Sequence, residues 1–172
     1  MKPTQLITCC LVLATSVLSA EEPKSEVLKK VFATAPSGKP AAIHKARTTA
    51  KPGETITLKG RVMGNLKPFV DGRSIFILGD PETLKACSDI PGDACETPWD
   101  NCCDDPEALK QGTATIQVID AKGRVLKEGI ENVNGLQKLS YVTVSGTVAP
   151  GSSDKLLLLN ADAIQVEEPK KK

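Results

Sequence analysis

From Pro52 onward the chain alternates apolar and polar positions with the two-residue period of a strand. Over Glu54 to Val62, Ile56, Leu58 and Val62 share one side, while Thr55, Thr57, Lys59 and Arg61 share the other, as in a half-buried strand. Ser74 to Leu78 is a shorter apolar run that follows the turn signal Asp71-Gly72. Thr113 to Ile119 alternates again with Ala114, Ile116 and Val118 inward, and Ala121-Lys122-Gly123 turns the chain into Arg124 to Lys127. Val142 to Val148 and Lys155 to Val166 supply two more strands, joined across Pro150 to Asp154. Five strands and little helix predict one all-β domain over residues 53–166.

The segments Ile56 to Val62 and Val142 to Val148 share the pattern apolar, Thr, apolar, x, Gly, x, Val. A glycine at the same inward phase of both, Gly60 and Gly146, suits long strands that bend to close a small barrel. With Ser74 to Asp80, Tyr141 to Val148 and Leu156 to Val166, this series resembles the OB-fold. The likeness is closest to nucleic-acid-binding anticodon and helicase-type domains and to small exported bacterial OB proteins, and it covers about 110 residues. It implies a five-stranded OB-like barrel. It also implies a binding face on strands two and three, where Lys59, Arg61, Arg73, Thr115 and Gln117 would meet an oligonucleotide. No aromatic stands clearly on that face, because Phe76 shares an apolar strand with Ile75, Ile77 and Leu78 and reads as core.

The flanks read differently. Residues 1–20 carry one charge, Lys2, before an apolar stretch from Leu6 to Leu18 and the small residues Ser19-Ala20, the pattern of a signal peptide removed on export to the periplasm or outside. That stretch is too short to span a bilayer, so no membrane span is expected after its removal. Residues 21–52 show no sustained periodicity beyond a turn at Val27, Leu28, Val31 and Phe32, and read as a flexible linker in which His44 is solvated. This linker holds seven Lys/Arg against three Asp/Glu, whereas residues 53–166 hold eleven against sixteen; residues 167–172 form a charged tail. A domain of net charge −5 is the wrong footprint for phosphate backbones, so nucleic acid is an alternative partner, behind an unidentified protein or small ligand.

The connection between the second and third strands, usually a short hairpin in such barrels, runs from Asp80 to Gly112. It opens with Asp-Pro-Glu-Thr-Leu-Lys at 80–85 and closes with Asp-Pro-Glu-Ala-Leu-Lys at 105–110, each predicted as a capped helical turn. Between them lie Cys87, Cys95, Cys102 and Cys103. In an exported chain two disulfides are the leading reading, with Cys87–Cys102 and Cys95–Cys103 or the crossed pairing left open. A four-thiolate metal site is second, although the C-x2-C knuckles common at zinc are missing, and redox catalysis third. Trp99 is expected either to plug the loop against the barrel or to meet a ligand; the nearby Asp89, Asp93, Asp100, Asp104 and Asp105 read as a solvated acidic rim. No catalytic, phosphate-binding or dinucleotide motif is present, so the expectation is a non-catalytic binding module without cofactor.

Overall fold

The computed structural model describes residues 23–167, so the segment expected to be a signal peptide and the last five residues lie outside the described residues. Five strands are present: β1 (Thr55–Arg61), β2 (Ile75–Gly79), β3 (Thr113–Gln117), β4 (Tyr141–Val148) and β5 (Leu158–Val166). They close into a barrel in the order β1-β2-β3-β5-β4, a form consistent with an OB-like fold. All neighbouring pairs are antiparallel except β3 with β5, where Thr115 lies opposite Leu158. The inward phases are those of the alternation: Leu58, Phe76, Leu78, Ala114, Ile116, Val142, Val144 and Leu159 are buried in one core.

Both inward glycines meet backbone. A Cβ on Gly60 would stand 2.7 Å from the carbonyl oxygen of Gly79, and one on Gly146 only 2.1 Å from that of Asn160. At Gly146 the register between β4 and β5 also shifts, pairing Ser145 with Ala163 but Gly146 with Ala161 and leaving Asp162 as the extra residue. That bulge sharpens the bend by which β5 passes from β4 to β3.

The segment expected to be a flexible linker is folded. It contains α1 (Glu26–Ala33) and α2 (Ile43–Thr49). The Ser25 hydroxyl caps α1 by accepting from Leu28 N–H at 3.2 Å, and Leu28 and Val31, one turn apart, enter the barrel core. The long β3–β4 connection has no helix of its own, so an amphipathic turn from elsewhere in the chain finds apolar surface to cover. Burying Leu28 alone is worth roughly 2 kcal/mol, enough to outweigh weak local propensity.

Between α1 and α2 the chain docks on β1. That strand meets β2 at a single pair, Arg61 with Gly79. Ala41 fills part of the vacant edge: its N–H donates to Thr57 O at 2.9 Å and its carbonyl accepts from Lys59 N–H at 3.1 Å. Helix α2 then carries Ile43 and Ala46 into the core and brings Arg47 to the carbonyl of Thr113, the first residue of β3.

Candidate metal centre

Residues 80–112 fold on a small core of their own. Met63, Leu84 and Ala86 are buried together, with Ala108, Leu109 and Leu139 packed against them. Of the two Asp-Pro-Glu repeats, only the second forms a helix, α3 (Pro106–Gly112), capped by the Asp105 carboxylate accepting from Glu107 and Ala108 N–H. The first is held to a turn, closed by Leu84 N–H donating to Asp80 O at 2.9 Å. The Asp80 carboxylate caps this turn at Glu82 N–H through Oδ1 and binds His44 of α2 through Oδ2.

The two limbs of the loop are zipped by backbone: Cys87 N–H donates to Asp100 O and Ser88 N–H to Pro98 O, both at 3.0 Å. Buried Asn101 fastens the crossing. Its Nδ2 donates to Lys85 O at 2.6 Å and to Asp104 Oδ2 at 2.7 Å, and that same carboxylate oxygen accepts from Lys85 N–H. Cys87, on a single 3-10 turn (Cys87–Asp89), therefore faces Cys102 across the loop. The Asp93 carboxylate accepts from Cys95 N–H at 2.6 Å and folds that cysteine back toward them.

The sulfurs of Cys87, Cys95 and Cys102 lie within 4.8 Å of one another. Cys87 and Cys102 stand 3.8 Å apart, and Cys102 and Cys103 3.9 Å apart. A disulfide needs about 2.05 Å, so the expected cross-links are not formed and all four thiols are free. The loop holds its shape without them because the small core and the Asn101 network do the work assigned to sulfur bonds. By contrast, two thiolates sharing a tetrahedral ion at about 2.3 Å each are themselves about 3.8 Å apart. The Cys87–Cys102 pair therefore has the spacing of two ligands of one ion, and Cys95 lies within 4.8 Å of both.

Electrostatics divide the three thiols. Burial, together with the sulfur neighbours Cys102 and Cys95, pushes Cys87 up to about 12. The hydroxyl of Thr97, 3.3 Å from the Cys95 sulfur, lowers Cys95 below its ordinary range. Of the three, Cys95 alone is eased toward its thiolate, while Cys102 is raised like Cys87.

Barrel residues grip the insertion from the side. Arg61 donates from Nη1 to Asp89 Oδ2 at 2.6 Å and from Nε to Leu139 O at 3.0 Å, with its guanidinium 5.2 Å from the centre of the Tyr141 ring. Leu139 takes this position at φ 68, in the left-handed region unfavourable to a branched side chain. Trp99 is half-buried and seats the insertion against the neighbouring connections of the barrel. Its Nε1–H donates to Leu66 O at 2.9 Å, and the Lys138 amine stands 4.3 Å over the ring.

Three of the residues expected to bind an oligonucleotide have partners within the chain. Lys59 pairs with Glu167 at 2.7 Å, Arg61 is held as above, and Gln117 donates to Asn160 at 2.7 Å. Thr115 is half-buried on β3, and exposed Arg73 lies in the turn before β2, apart from the sulfur cluster. Phe76 is fully buried, as its strand implied. His44 is paired rather than solvated. Two surface clefts, of about 470 and 380 Å³, are lined by no cysteine.

No spacing rule for metal knuckles would have found this centre, because C-x7-C-x6-C-C brings its sulfurs together only through the Asn101 crossing. No family model, no curated protein and no solved structure matches the chain.

Proposed function

We propose that this chain is an exported, non-catalytic OB-like module that binds one thiophilic cation, Zn2+ or Cu+, through Cys87, Cys95 and Cys102. The observation that carries the reading is the three-sulfur group within 4.8 Å on a loop ordered without disulfides. A donor set of thiolates alone selects soft or borderline ions over Mg2+ or Ca2+. Export is supported by the apolar stretch Leu6 to Leu18, and the absence of catalytic motifs supports a binding role.

The test uses the reduced chain, handled without oxygen. Titration with Co2+ is expected to raise a thiolate-to-metal absorption that saturates at one ion per chain and is displaced by Zn2+, and Cys87→Ser is expected to abolish it. Cu+ binding is read in parallel by competition with a chromophoric chelator. Alkylation of the mature chain as isolated, without residues 1–20 and so without Cys9 and Cys10, supplies the counter-test. No label without reductant, four labels after it, and no bound metal would overturn the reading in favour of two disulfides. Failure of the reduced chain to bind any of these ions would do the same.

A further inference from the structure

The four thiols of the insertion differ in exposure. Cys87 is buried, Cys95 half-buried, and Cys102 and Cys103 exposed. Cys102 is the shared member, 3.8 Å from Cys87 and 3.9 Å from Cys103. Cys103 stands outside the three-sulfur group. Both separations match two thiolates on one tetrahedral ion, which are about 3.8 Å apart. An ion can therefore sit on Cys102 and Cys103 at the surface, or on Cys87, Cys95 and Cys102 further in, without ever leaving Cys102.

Resting on the metal reading above, we propose that Cys103 is the port through which the ion passes to and from a carrier that holds it on thiolates. The module then relays a metal ion rather than using it as a structural staple. A structural thiolate site closes all four positions with protein, whereas three sulfurs leave one for an incoming ligand. In uptake the Cys103 sulfur bonds to the ion as one carrier sulfur lets go, and the proton of the Cys103 thiol passes to the released sulfur. The second carrier bond breaks as Cys102 binds, again exchanging a proton. Cys87 and Cys95 then bond to the ion and release their protons to water, while Cys103 departs and regains one. The ion keeps its charge throughout, and no electrons are transferred.

The experiment gives the reduced mature chain, without residues 1–20, either free Zn2+ or Zn2+ held by dithiothreitol and follows loading by native mass spectrometry. Cys103→Ser and Cys103→Ala are compared with the unchanged chain. Both variants are expected to reach one ion per chain and to take free Zn2+ at the unchanged rate. From the dithiol complex they should load about tenfold more slowly, at the lower end of effects seen when groups next to a metal are removed. Equal rates from the dithiol complex would overturn the relay while leaving the metal reading intact. Loss of stoichiometric binding in the variants would also overturn it, making Cys103 a permanent ligand. No binding by the unchanged chain would remove the metal reading itself.

Discussion

The buried carboxylate of Asp80 accepts two hydrogen bonds from one residue, the backbone N–H of His44 at 2.9 Å and its ring Nδ1 at 2.7 Å. A third comes from Glu82 N–H at 2.9 Å. Because a carboxylate only accepts, Nδ1 carries the hydrogen. The pair ties α2 to the end of β2, at the first residue of the insertion. Truncating either side chain strands buried polar groups, so His44→Ala and Asp80→Ala should each cost about 1 to 3 kcal/mol. Urea unfolding followed by circular dichroism checks this; a variant as stable as the unchanged chain would show the contact to be incidental.

Gly146 offers a second test. The carbonyl oxygen of Asn160 lies 2.1 Å from where a Cβ would be, and the obstruction is backbone of the paired strand. Gly146→Ala must open the β4–β5 bulge, at a cost of about 3 kcal/mol, the upper end for overpacking. Gly129→Ala is the control, since nothing lies within 4 Å of its added methyl. Thermal midpoints of the two variants should separate clearly, with Gly129→Ala close to the parent.

Asp120 governs a pH effect. Its carboxylate accepts from the backbone N–H of Arg124 at 3.0 Å and from the guanidinium at 2.9 and 2.8 Å, which, with Lys122 N–H, holds it down to about 2. A carboxyl depressed by folding favours the native state above its ordinary value of 3.8, and that contribution fades as pH falls toward 2. Asp120→Asn should therefore lower the melting temperature at neutral pH and converge with the parent in acid. A constant difference across that range would refute the assignment.

Lys59 and Arg61 are engaged by Glu167 and Asp89, and the domain around them is acidic. Single-stranded DNA should accordingly show no gel shift at moderate salt. A salt-sensitive shift lost in Lys59→Glu would revive an oligonucleotide role. For Arg61→Ala the expected change lies elsewhere: a loosened insertion, read as faster amide exchange at Cys87 to Asp89.

Alternation marked the strands and the inward glycines pointed to their closure into a barrel. Leu58, Phe76, Ile116 and Val144 face inward because a strand repeats every two residues, and Gly60 and Gly146 announced the close approaches by their phase. The length of the insertion, its Asp105 cap and its cysteines were equally legible, being local in the chain. Tertiary structure decided what depends on partners far away in sequence. α1 and α2 are too short to be stable alone and fold because the barrel offers apolar surface and a vacant β1 edge. His44 meets a carboxylate 36 residues away, Arg61 meets Asp89 across 28, and Cys87 faces Cys102 only through the crossing fastened by Asn101. Periodicity specifies which side of an element is buried. Which thiols become neighbours is set by where loops cross, and that follows from packing rather than from spacing.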